Sequence, residues 1–344
     1  MAENTKIEWT DHTFNPWEGC QKVGPGCDNC YAETRNARFG GGQAANWGPG
    51  APRRRTSAAN WNLPRRWNAQ AEAFQNQHGR RQRVFCASLA DVFDNAVDPQ
   101  WRADLFTLIH QTPNLDWLLL TKRIGNVIPM MAELVHDKDQ DLPWLDMMPL
   151  PNVWIGATIT SQAEADRDIP KLLAVPARVR FLSMEPLLGP VSLTTTGHIP
   201  ADDEGPERIG YMVGPDDGKS GLWPTPSEAL RRSGIHWVIV GGESGPGARP
   251  MHPDWVRSLR DQCDAADVPF LFKQQGEWLA TAFCTDEQAI APYKRLAYIR
   301  KDGSVHDGSA GVDFFSGDEE VTWVGKKSAG RILDGRTWDG FPAP

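Results

Sequence analysis

Three cysteines, Cys20, Cys27 and Cys30, stand seven and then three positions apart in the stretch CQKVGPGCDNCYA. Thiolate sulfur is a soft ligand suited to zinc or to an iron–sulfur cluster. Gly19, Gly24 and Gly26 give the surrounding backbone the freedom that a tight wrap around a metal centre requires. A closed zinc site and an ordinary all-cysteine [4Fe–4S] cluster each take four ligands, so three thiols leave one position to be filled from elsewhere. His12 and Cys86 are candidates for a fourth zinc ligand, and a structural zinc knuckle is the plain reading of the spacing. A disulfide is disfavoured: six cysteines in 344 residues make no disulfide scaffold, and no hydrophobic signal segment precedes the loop.

A second set of polar residues recurs after short apolar runs. Ser88 and Asp91 follow Val84–Leu89, and Thr121, Lys122 and Arg123 end Trp117–Thr121. Thr158 and Thr160 end Val153–Thr158, and Glu185 follows Val179–Ser183. Gly241, Gly242 and Glu243 end His236–Gly241, and Lys273 closes Pro269–Lys273. Glycines at 241 and 242 would let a ligand approach the backbone, and the carboxylates of Glu185 and Glu243 would receive hydroxyl or ammonium groups. Lys122 and Lys273 are the catalytic candidates. The plain alternative makes them structural ion-pair partners of the two glutamates.

The elements that position these groups follow from periodicity. Near-continuous apolar runs alternate with amphipathic stretches at Gln100–Gln111, Ser161–Leu173 and Asp254–Ala266. That rhythm predicts an α/β fold with a parallel sheet covered by helices. With the extended stretch Ile7–Pro16 counted, it predicts a partial (β/α) barrel of about six to seven parallel strands, whose working groups sit at the strands' carboxyl ends. No G-x-G-x-x-G loop follows an early strand, which disfavours a dinucleotide-binding sheet. Tyr31–Phe39 is predicted helical. The barrel is read over 1–278, with a Gly/Pro/Asp-rich insertion at 194–234 and a small appendage at 279–344. Within the appendage, Leu296–Ile299 with Asp302-Gly303 reads as a hairpin.

Residues 40–83 are rich in arginine and tryptophan. Arg53, Arg54, Arg55, Arg65 and Arg66 lie among Trp47, Trp61 and Trp67, and Glu72 is the sole acid from 53 to 83. Guanidinium forks bind phosphate and indole faces stack on bases, which suits a polynucleotide; the plain reading is a solvated face. A net charge of −8 excludes a wholesale nucleic-acid binder. No run reaches the ~18 apolar residues of a membrane span, so a soluble, cytoplasmic protein without membrane partners is expected.

A cysteine loop ending Cys-x-x-Cys-Tyr-Ala after the first strand, followed by a partial barrel, resembles the radical S-adenosylmethionine (SAM) superfamily, although the first gap, Cys20 to Cys27, is longer than usual there. The wording TDHTFNPWEGC, GCDNCYA, FLSMEPLLGP, VIVGGESGPGARP and VGKKSAGRILDGRTWD looks like a phage-associated family of uncharacterised three-cysteine proteins. The superfamily resemblance implies a [4Fe–4S] cluster on Cys20, Cys27 and Cys30, with SAM on the fourth iron. One electron, from a donor such as flavodoxin or ferredoxin, would then release a 5′-deoxyadenosyl radical. It implies cofactor contacts from Tyr31, Ser88, Thr158, Glu185, Gly241, Gly242 and Glu243. The Arg/Trp segment suggests a nucleic acid or nucleotide substrate, for modification or repair. The alternative is a non-catalytic zinc- or cluster-binding nucleic-acid module.

Overall fold

The computed structural model describes residues 4–136, 149–193, 234–285, 288, 295–309 and 311–343. The insertion read at 194–234 lies outside the described residues but for Gly234. The strands are β1 (His12–Thr13), β2 (Trp17–Glu18), β3 (Arg54–Arg55), β4 (Gln82–Cys86), β5 (Leu115–Thr121), β6 (Val153–Thr158), β7 (Val179–Met184), β8 (Trp237–Gly241), β9 (Phe270–Gln274), β10 (Trp278–Ala280), β11 (Leu296–Ile299), β12 (Val305–His306) and β13 (Glu319–Trp323). Helices are α1 (Tyr31–Phe39), α2 (Ala58–Trp61), α3 (Leu63–Ala69), α4 (Ala71–His78), α5 (Pro99–His110), α6 (Val127–His136), α7 (Gln162–Ala174), α8 (Pro253–Ala265) and α9 (Lys326–Ala329).

A seven-stranded sheet runs in the order β1-β4-β5-β6-β7-β8-β9. It is parallel and forms the partial barrel that the alternation of apolar runs and helices predicts. Strands β4, β6, β7 and β8 are buried at every position. Strands covered on both faces are mostly apolar, which is why these segments read as apolar runs, although β4 also buries Gln82 and Arg83 and β7 buries Arg180. The helices carry local start signals. Asp98 caps α5 by accepting from the Gln100 amide at 2.9 Å, with Pro99 in the first turn. His252 caps α8 through the Asp254 amide at 3.1 Å, with Pro253 next.

The chain divides into two compact units, one of residues 1–158, 170–181 and 343–344, the other of 159–169 and 182–342. In the first, Trp61 and Trp67 of the 40–83 segment are core, and Trp47 is half-buried. Trp67 is fully buried and stacks on His12 with ring centroids 4.2 Å apart. Trp61 meets Phe14 edge-on at 5.7 Å. These rings are spent on packing, so Trp61 and Trp67 offer no face for base stacking. Short β1 is tied to β4 by His12↔Val84 and Thr13↔Phe85, and by the Asp11 carboxylate, which accepts from the Arg83 amide at 2.8 Å and from Arg80 at 2.7 and 2.9 Å.

In the second unit, β10, β13, β11 and β12 form a separate four-stranded sheet. Tyr298 pairs with His306 across the expected hairpin. The C-terminal stretch lies along β9: the Phe272 amide donates to Trp338 O at 3.0 Å and the Gly340 amide to Phe270 O at 2.9 Å. An exposed strand edge invites pairing with other chains, and this segment covers it. Arg336 stacks on Trp338 and Arg331 pairs with Asp339, so these two cations serve the tail's own packing.

Candidate functional site

The cysteine loop is latched to the carboxyl ends of β4 and β5. Just past β4, the Gly19 amide donates to Leu89 O at 3.0 Å. Gly19 has φ +117, and a Cβ there would lie 2.6 Å from Asn46 O, so the site demands glycine. The Tyr31 hydroxyl donates to Ser88 O at 2.6 Å. Asn15 supports the same corner: its Nδ2 donates to Ser88 Oγ at 3.0 Å and its Oδ1 accepts from the Leu89 amide at 2.8 Å. Just past β5, Arg123 donates from Nη1 to Cys20 Sγ at 3.4 Å and from Nη2 to Gln21 O at 2.8 Å.

Between them a single turn, Pro25–Cys27, leads into α1, whose first turn is capped at Cys30. All three cysteines are free thiols; Cys27 is buried, and Cys20 and Cys30 are half-buried. Burial, reinforced by the Asp91 carboxylate, pushes the Cys20 thiol up to about 11 against the opposing pull of Arg123.

Asp91 organises the strand ends beneath the loop. Its carboxylate accepts from Thr121 Oγ1 at 2.8 Å, the Phe93 amide at 2.9 Å, the Lys122 amide at 3.0 Å and Arg123 at 3.3 Å. Lys122 Nζ donates to Thr158 Oγ1 at 3.2 Å, which joins two of the sequence candidates. Asp91 and Arg123 belong to the strand-end set expected from the sequence; Asn15 does not. The available signal was the run of polar residues closing each strand; their partners lie far away in sequence.

In the second unit, Glu185 follows β7 and accepts from Lys273 Nζ at 2.8 and 2.7 Å and from Gln274 Nε2 at 2.7 Å. Gly241 faces this carboxylate: a Cβ on it would lie 3.4 Å from Glu185 Cδ. Glu243 is buried and held by Arg249 through its amide at 2.8 Å, Nε at 2.9 Å and Nη2 at 2.7 Å. Gly242 has a packing reason to be bare. A Cβ there would lie 1.9 Å from Gln275 O, so its bareness admits the chain leaving β9. Gln274 Nε2 also reaches Ser244 Oγ at 3.1 Å, and its buried Oε1 has no hydrogen-bond partner among the described residues.

Lys273→Met should strand the Glu185 carboxylate. Side-chain exposures of 15% and 19% make the pair mostly buried, and breaking such a pair costs about 3–5 kcal/mol at full burial, so the lower end applies. Urea unfolding should show that loss, with partial recovery in Glu185→Gln/Lys273→Met. A single variant as stable as the parent would mean the pair contributes nothing.

Of the nucleic-acid candidates Arg53 is corrected, while Arg54, Arg55, Arg65 and Arg66 remain exposed. Arg53 is buried and paired with Asp94 at 2.6 Å, so it cannot reach a phosphate. Arg54 pairs with Glu18 at 2.5 Å, Arg55 lies 4.3 Å over the Trp61 ring and pairs with Asp104, and Arg65 donates to Gln111 at 2.7 Å. Arg66 lies on α3. His12, bound to Gln82 at 2.8 Å and stacked on Trp67, is committed away from the cysteine loop. Cys86 is fully buried within β4, and burial pushes its thiol up.

The family model described as a protein of unknown function, DUF5131, matches residues 4–342. The chain belongs to the DUF5131 family. No curated protein and no solved structure matches it. Among the described residues of this DUF5131 chain, no group of three or more His, Cys, Asp or Glu side chains stands close enough to hold a metal ion. Nor is any helix among them long and apolar enough to cross a membrane. Cys20, Cys27 and Cys30 are free thiols on one short loop, with an Arg123 N–H directed at the Cys20 sulfur.

Proposed function

We propose that this DUF5131 chain is a radical SAM-type enzyme, with Cys20, Cys27 and Cys30 as the protein ligands of a [4Fe–4S] cluster. The observation that supports the reading is the latching of a loop bearing three free thiols onto the carboxyl ends of β4 and β5. In a βα barrel, chemistry is carried at that end of the strands. Three thiolates leave one coordination position for a small ligand. When bound, such a cluster supplies the electron that splits a carbon–sulfur bond of SAM.

The chain's own residues have separable tasks in this proposal. Tyr31 and Asn15 fix the Ser88 corner. Asp91 orients Thr121, Lys122 and Arg123. Lys122 holds the Thr158 hydroxyl, which would contact the cofactor. The Glu185–Lys273–Gln274 set and the Arg249-clamped Glu243 are each rigid polar groups able to meet a substrate's or cofactor's charged end. The substrate is proposed to be a nucleic acid or nucleotide, the electron source a flavodoxin- or ferredoxin-type donor, and the family phage-associated.

The test is anaerobic reconstitution with iron and sulfide. Brown protein absorbing near ~400 nm with about four irons per chain is expected for thiolate-bound [4Fe–4S]. Colourless protein retaining one zinc per chain would instead favour the non-catalytic module.

A further inference from the structure

Lys122 follows β5 and Thr158 ends β6. We propose that their side chains form a binding subsite for an oxyanion, the phosphate or carboxylate group of a small ligand. The register sets the two residues side by side: Thr121 pairs with Ala157, and Lys122 and Thr158 come next on the two strands. The Lys122 ammonium then donates to Thr158 Oγ1 at 3.2 Å. Both residues are fixed at the sheet. Thr158 is 5% exposed, and the Lys122 amide donates to Asp91 Oδ2 at 3.0 Å.

Charge at this strand end is unbalanced at Lys122. Arg123 lies 3.3 Å from Asp91 and 3.6 Å from Asp94, and Arg53 lies 2.6 Å from Asp94. Those guanidinium groups and carboxylates close on each other. Half-buried Lys122 is left out: among the described residues its ammonium meets no carboxylate, and Thr158 Oγ1 is its one hydrogen-bond partner. A cation partly removed from water gains from a counter-ion. The donors that remain give that ion's chemistry. An ammonium carries three N–H donors and a threonine hydroxyl one O–H. One N–H is spent on Thr158, whose own hydroxyl hydrogen has no acceptor among the described residues. Two N–H groups and one O–H therefore remain around a single 3.2 Å contact, with a positive charge beside them. A group with several negatively charged oxygens satisfies all of them. A cation satisfies none, and a lone carbonyl leaves the charge unmatched.

The subsite goes beyond the proposed reaction and needs no metal on the cysteine loop, so the test uses the full chain as purified. Isothermal titration calorimetry with inorganic phosphate and, separately, with acetate at matched ionic strength should show one saturable site per chain for at least one of them. The tighter of the two names the source of the oxyanion. Hydrogen bonds to charged groups carry about 10–100-fold in affinity, so Lys122→Met should weaken binding by about that factor. Thr158→Val should weaken it about tenfold, whereas Thr158→Ser, which keeps the hydroxyl, should bind as the parent does. Circular dichroism follows the fold, and the two Thr158 variants decide the matter should Lys122→Met misfold. The inference is overturned by a parent that binds neither anion, by a folded Lys122→Met that binds like the parent, or by equal binding in Thr158→Val and Thr158→Ser. Iron uptake is a separate readout: a chain that binds an oxyanion here and takes up no iron keeps this subsite and loses the cluster reading alone.

Discussion

Cys20→Ala, Cys27→Ala and Cys30→Ala should each reduce bound iron to background after reconstitution and abolish SAM cleavage, while the folded chain persists. The loop contributes little to the core: of the three, only Cys27 is buried, and the sheet is carried by apolar strands distant from it in sequence. Iron analysis and a thermal melt on the same samples check both halves of the statement. Cys86→Ala, Cys263→Ala and Cys284→Ala should keep their iron, since Cys86 lies inside β4 and Cys263 inside α8. Global unfolding of all three loop variants would instead identify a structural zinc site, where metal binding is folding free energy. Iron lost from Cys86→Ala would mean that the ligand set has been misread.

Gly242→Ala should be the most damaging single methyl addition near the second polar set. Its new Cβ would fall 1.9 Å from Gln275 O and 2.6 Å from the same residue's carbonyl carbon. Those are backbone atoms and cannot rotate aside. Gly276 approaches from the other direction with φ +91, its own Cβ position 2.4 Å from Glu243 O. Here the Glu277 amide donates to Glu243 O at 3.1 Å, so the two chain segments must touch. Overpacking of this kind costs about 1–3 kcal/mol and sometimes more. Urea unfolding of Gly242→Ala should show at least that loss, whereas Gly245→Ala, with open space at its Cβ position, should lose only what its positive φ demands. Equal stability of Gly242→Ala and the parent would mean that the two backbones do not meet so closely.

Most strands were legible because burial on both faces favours apolar runs; the observed ends of β6 match the expected span, β7 ends one residue later and β9 is shifted by one, whereas β4 begins two residues earlier and ends three earlier than Val84–Leu89. Helix α1 was legible because helix formers start directly after the cysteines. β1 was over-read: an extended run from Ile7 to Pro16 pairs with β4 only at His12 and Thr13. Composition could not reveal Arg53's burial, because whether a guanidinium meets solvent or Asp94 is decided 41 positions away. The same holds for Arg123, whose sulfur contact spans 103 positions. Gly242 was read as room for a ligand, since a bare backbone in the sequence looks alike whether a cofactor or another strand exit fills the space.

The most direct measurement is the release of 5′-deoxyadenosine from SAM by the reconstituted, chemically reduced protein, followed by chromatography with no substrate added. The account predicts release that depends on reductant and disappears in Cys20→Ala, Cys27→Ala and Cys30→Ala. Iron-loaded, reduced protein that leaves SAM intact would contradict it.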